Sequence, residues 1–181
     1  MDKPCRRLTV REICLFGILG ALTFAAKMGM MSLPNIEPVS LMVMLFAVTF
    51  GWKAVFPISV YIAMEFAMFG LNLWSINYLY IWFILAAAAY LMRRAEHPLA
   101  WAALSGGFGL LFGALCAPVY LVTGGLGFAV SWWISGIPFD LLHCGGNFVI
   151  ALFLFVPLRE VLRRLCREMN ACVLCGEGER R

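Results

Sequence analysis

"GIPFDLLHCGGNFVIALFLF", residues 136–155, reads as an apolar membrane span that nevertheless accepts Asp140, His143 and Asn147. The three lie at i, i+3 and i+7, which stacks them on one stripe of a helix instead of spreading them around it. Pro138 suits the first turn of that helix. A charged side chain at membrane depth costs at least about 2.5 kcal/mol on insertion scales, so such a stripe needs a compensating role. A small-molecule pocket lined by these groups supplies one.

The whole chain agrees with a membrane setting. It has 181 residues, of which 63% are hydrophobic and 13% charged, and its mean hydropathy is +0.89. A soluble domain of ordinary composition is far more polar. The formal charge of +4 comes from 14 basic and 10 acidic residues. Its meaning lies in where those charges sit. The seven cysteines are scattered, mostly in apolar runs or at charged ends, so a disulfide framework is not expected. Cys172 and Cys175 resemble half of a zinc site with no second pair.

A membrane-crossing helix needs about 20 apolar residues. Six such spans are predicted, at 12–31, 39–52, 54–71, 78–92, 99–122 and 137–158, broken by "SLPNIEP", "GLNLWSIN", "RRAEHP" and "TGGLGFAVSWWISG". Strands of alternating polarity, the mark of a membrane barrel, are absent from the sequence. The basic start "MDKPCRRLTVR" is compatible with a signal peptide. The apolar run after it is too long for one and lacks a small-residue cleavage site, so it reads as a retained first span.

With residues 1–11 in the cytoplasm, the inner segments carry Lys3, Arg6, Arg7, Arg11, Lys53, Arg93, Arg94, Arg159, Arg163, Arg164, Arg167, Arg180 and Arg181. The outer loops carry no basic residue, and Lys27 sits within span one. This positive-inside bias predicts an all-α bundle of six transmembrane helices over 12–158 with both termini cytoplasmic. The basic tail at 159–181 suits the anionic inner leaflet.

Under that topology the polar residues gather toward the outer half: Lys27, Glu37, Glu65, Asn72, Asn77, Asp140 and His143, with Asn147 about 10 Å deeper. Tyr61, Glu65, Phe69 and Asn72 form a second stripe at i, i+4, i+8 and i+11, and two stripes from different helices are expected to converge. Alternatives stand beside each. Lys27 is placed to snorkel as readily as to line a site. Asp140 also fits a first-turn acid favoured by the helix dipole, and His143 a packing histidine. Trp74, Tyr78, Tyr80, Trp82, Trp132 and Trp133 fit an interfacial aromatic belt, from which one or two, with Trp74 and Tyr78 foremost, are candidates to stack on a flat ligand.

Span one carries Gly17, Ala21 and Ala25 at four-residue spacing, a strip that lets helices approach closely. Taken together, the size, the six spans, the cytoplasmic termini, Ala21-x-x-x-Ala25 and the outer polar cluster resemble the substrate-binding S component of energy-coupling factor (ECF) vitamin transporters. The resemblance covers about residues 10–160, including "LPNIEPVSLMVML", "WSINYLYIW" and "GIPFDLLHCGGNF".

The resemblance implies a multi-pass protein of a bacterial or archaeal plasma membrane that captures a vitamin or related micronutrient in an outward pocket. It implies a transmembrane scaffold, the T component, docking on Gly17, Ala21 and Ala25, and two cytoplasmic ATPases that hydrolyse ATP. No cofactor is then expected on this chain, which contains no GxxxxGK[ST] phosphate loop. The resemblance also implies a lid in the loop joining the first two helices, where two prolines flank Glu37; a merely solvated Glu37 remains the alternative.

Three carboxylates, Glu37, Glu65 and Asp140, against one lysine favour a cationic or N–H-rich heterocycle, such as a thiamine-like compound, pyridoxamine or a queuosine precursor. Two rivals differ in class. An intramembrane enzyme would use Asp140, His143 and Cys144, but adjacent His143 and Cys144 diverge by about 100° around a helix. A self-sufficient secondary transporter or channel would be expected to show an internal repeat, which the sequence lacks.

Overall fold

A computed structural model describes residues 8–32 and 37–169, and among these the regular elements are all helical. They are α1 (Val10–Gly29), α2 (Val39–Phe50), a 3-10 turn (Gly51–Ala54), α3 (Val55–Phe69), α4 (Leu73–Leu91), α5 (Pro98–Leu110) and α6 (Phe112–Met169). By length and composition, four stretches suffice to cross a membrane: Val10–Gly29, Val39–Phe69, Leu73–Leu91 and Pro98–Glu168.

The sequence of α2, "VSLMVMLFAVTF", has no polar face, and only Met42 in it escapes full burial. A helix apolar all round is stable only when enclosed, and α2 is the shaft on which α1, α4 and α6 pack. Its far end returns to the start of the chain, where the Phe50 ring meets Phe16 edge-on at 5.1 Å. From there α3 runs alongside α1 in the same direction. Phe56 stacks on Phe16 at 5.9 Å, Val60 packs on Gly20, and Glu65 reaches Lys27. The stretch Val39–Phe69 therefore doubles back between α2 and α3, at Gly51, whose φ of +59° suits glycine alone among common residues.

The stretch after Pro98 also doubles back. As a straight rod α6 would extend about 87 Å, nearly three times the hydrocarbon thickness. At Gly125 the backbone leaves the helix (φ +78°, ψ 178°), and the chain returns along itself. The register of the antiparallel pair is explicit. Trp101 stacks on Phe155 at 4.2 Å, Gly106 faces Phe148, Gly109 faces the backbone of His143, Gly113 faces Asp140, and Tyr120 stacks on Trp132 at 3.9 Å. A Cβ added to Gly109 would lie 2.8 Å from the His143 carbonyl, so the glycines are what let these arms approach.

Two predicted breaks differ from the structure. The segment 123–136, read as a loop, is helical except at Gly125, because one glycine suffices for the reversal and both arms pack on each other up to it. The fourth helix begins at Leu73 and takes in "WSIN", because Asn72 and Ser75 form a capping box in which each side chain accepts from the other's backbone N–H. At the other end, α6 continues through Arg159 to Met169. The Cys172 and Cys175 pair, with residues 1–7, lies outside the described residues.

Lys53, assigned to an inner segment by the charge pattern, is buried at 1% exposure. It is ion-paired with Glu12, which the Thr9 capping box fixes in the first turn of α1. Basic residues of the α4–α5 connection and the end of α6 also meet, with Arg159 donating to the Arg93 carbonyl at 3.1 Å.

Candidate ligand-binding site

The polar stripe of "DLLHCGGN" faces inward as its spacing predicts: Asp140, His143 and Asn147 are all buried. They do three different things. Asn147 is a clamp, its amide donating to Ser40 Oγ at 3.0 Å on α2 and to the Ser105 carbonyl at 3.4 Å on α5. Asp140 accepts a bifurcated bond from Gly113 N–H at 3.1 and 3.2 Å. Gly113 lies in the first turn of α6, where N–H groups lack intrahelical acceptors, so Asp140 acts as a cap supplied from the returning arm. His143 packs edge-on against Phe112 at 4.8 Å, and its Nε2 is buried without a hydrogen-bond partner.

Asp140 and His143 open onto a cavity of about 280 Å³. Phe112, Gly113 and Phe139 complete the wall on the α6 side, Trp132, Ser135 and Gly136 close it above, and Trp74 and Glu37 face them from α4 and the segment preceding α2. Trp74 is the keystone, lying 5.9 Å from Phe112 and 6.2 Å from Trp132 by ring centroids. Its indole N–H donates to the Tyr78 hydroxyl at 3.0 Å, which fixes the ring plane. Glu37 Oε2 is buried and, like His143 Nε2, has no hydrogen-bond partner among the described residues. Burial raises the Glu37 carboxyl above the ordinary glutamate range; the Lys27 charge opposes that shift and the Glu65 charge adds to it.

The second predicted stripe does not reach this cavity. Glu65 is ion-paired with Lys27 at 2.9 Å, and Lys27 also donates to the Tyr78 hydroxyl at 3.2 Å. The ammonium sits within 6.0 Å of the ring centres of Tyr61, Phe69 and Tyr78, an aromatic cage typical of a cation held by ring quadrupoles. Tyr78 and Trp74 connect this pair to the cavity, whose lining includes Asp140 and not Glu65. The chain of contacts runs Glu65, Lys27, Tyr78, Trp74, then the cavity wall.

The other two candidate asparagines, Asn72 and Asn77, serve α4. Asn72 caps it, accepting from Ser75 N–H at 2.9 Å. Asn77 donates to the Leu73 and Trp74 carbonyls and accepts from the Tyr80 hydroxyl at 2.9 Å. On α1, Ala25 is exposed and a Cβ at Gly17 would meet nothing within 4 Å, whereas neighbouring Gly20 is the residue pressed against α3. Cys144 does not line the cavity.

Sequence reasoning missed Phe112, Gly113, Ser135, Gly136 and Phe139. The signal was Gly106-x-x-Gly109-x-x-x-Gly113, a row at helical spacing that marks a close helix contact and faces the Asp140 and His143 stripe. The chain matches no family model, no curated protein and no solved structure.

Proposed function

We propose that this chain is the substrate-binding membrane subunit of an ECF-type importer. It crosses the membrane six times with both termini cytoplasmic, and holds a small heterocyclic micronutrient in the cavity beside Trp74. The observation that carries this reading is one aromatic-walled cavity lined by Glu37 and His143, each with a buried polar atom, Oε2 and Nε2, that has no hydrogen-bond partner among the described residues. Orphaned buried polar atoms cost about 1–3 kcal/mol each, which a ligand relieves.

The six crossings are supported by the reversals at Gly51 and Gly125, each dividing an apolar stretch into two antiparallel passes. Sidedness is supported by the separation of charges. Lys53, Arg93 and Arg159 belong to the end of the bundle where α1 begins, and the cavity lies toward the end where α1 finishes. The open face of Gly17, Ala21 and Ala25 is the docking surface for the scaffold, with ATP hydrolysis supplied by two partner ATPases.

Uptake into vesicles tests the proposal. Accumulation should require the scaffold and ATP, and Ala21→Leu with Ala25→Leu should abolish it while ligand binding persists. Uptake driven by an ion gradient in the absence of ATPases would instead assign a self-sufficient transporter.

A further inference from the structure

Resting on that reading, we infer that the ligand is a planar monocation whose charge is read by Glu37 and whose opposite edge is read by His143 Nε2. Two of the three candidate carboxylates already have a partner within the protein. Glu65 is ion-paired with Lys27 at 2.9 Å. Asp140 lies on the cavity but is committed to Gly113 N–H at the positive end of a helix, where the dipole offsets its charge.

Glu37 is the carboxylate left over. No ion pair reaches it among the described residues, Lys27 acts on it only through space, and one of its oxygens is buried without a partner. A buried carboxylate in this condition is completed by a cation with an N–H to donate, through a charge-assisted bond roughly twice as strong as a neutral one.

The other lining groups select shape. The Trp74 indole N–H is spent on Tyr78 and the Ser135 O–H on the Trp132 carbonyl, so neither has a donor left for the ligand. Trp74, Trp132 and Phe112 line the cavity with aromatic rings, which favours flat cations. His143 lines the cavity, and its buried Nε2 has no hydrogen-bond partner among the described residues. At about 280 Å³ the cavity is at the small end of ligand sites, the size of one or two rings. The substrate class is therefore a protonated nitrogen heterocycle of the amidine, aminopyrimidine or pyridinium type.

The test uses the full chain in detergent and three probes of one shape, benzamidinium, benzamide and benzoate, each carrying a para amino group to donate to His143 Nε2, followed by tryptophan fluorescence and calorimetry. The cation should bind on the order of tenfold tighter than the neutral amide, with benzoate weakest. Glu37→Gln should bring cation and amide to within about twofold. Glu65→Gln should also lower the cation preference because Lys27 is released to serve Glu37. His143→Phe should weaken cation and amide alike. Equal binding of cation and amide by the parent, or a preference for benzoate, overturns the charge assignment and leaves the binding reading intact. A preference unchanged in Glu37→Gln overturns the assignment to that residue. Failure of all three probes at millimolar concentration overturns both readings.

Discussion

Lys53→Met should destabilise the fold severely, although Lys53 is remote from the cavity. Lys53 and Glu12 are 1% and 4% exposed, so their ion pair is enclosed. Removing one partner leaves the other as an uncompensated buried charge, a loss of about 3–5 kcal/mol. Glu12 keeps its bonds from Thr9 N–H at 2.9 Å and Thr9 Oγ1 at 3.3 Å, which places the expected loss near the lower bound, about 3 kcal/mol. For a chain of this length each kcal/mol moves the midpoint by about 2–4 °C, so thermal unfolding in detergent should fall by about 6–12 °C. Adding Glu12→Gln removes the stranded charge while a glutamine preserves the capping box. The double variant should regain at least half of the loss. A single variant melting within about 2 °C of the parent, by the same scaling, or a double variant no more stable than the single, would refute the reasoning.

Three further outcomes follow from the packing. Gly109→Ala must push the returning arm at least 0.6 Å away to bring its 2.8 Å contact to an ordinary 3.4 Å. The overpacking cost of about 1–3 kcal/mol outweighs a helix-propensity gain of about 1 kcal/mol, and ligand affinity should fall with the displaced His143. Gly107→Ala, whose Cβ meets nothing within 4 Å, is the control and should be neutral or stabilising in the same melting assay. Asn147→Leu should lose about 1–2 kcal/mol, chiefly because Ser40 is left buried without its amide partner, with Ser40→Ala in the same background restoring part of it. Asn72→Ala should cost about 1 kcal/mol of stability through the lost cap of α4 and leave probe affinity unchanged.

The helices were legible in the sequence because an apolar run of sufficient length has few alternatives in a membrane, and the inward stripe of Asp140, His143 and Asn147 was legible because helical spacing fixes a common face. Division of labour within that stripe was not legible. Whether Asp140 caps a helix or reads a ligand depends on Gly113, which the fold brings to it from the opposite arm. Lys53 looked like an ordinary inner charge because its partner Glu12 is remote in sequence and adjacent only after α3 has aligned with α1. The stripe of Tyr61, Glu65 and Phe69 did mark a polar cluster, but its target is Lys27 in an aromatic cage, since α3 packs against α1 and not against the arm bearing Asp140. Glycine at Gly125 was read as part of a long loop because a single left-handed residue can reverse two helices, and periodicity does not distinguish that from an unstructured turn.

Native mass spectrometry of the protein released gently from its own membranes, beside the Glu37→Gln, His143→Phe double variant, addresses the central claim most directly. The account expects a small nitrogen-containing cation retained by the parent and missing from the variant, whose mass is otherwise that of the substituted chain. A parent that carries no small molecule even after incubation with the planar cationic probe, or an adduct retained equally by the double variant, would contradict it.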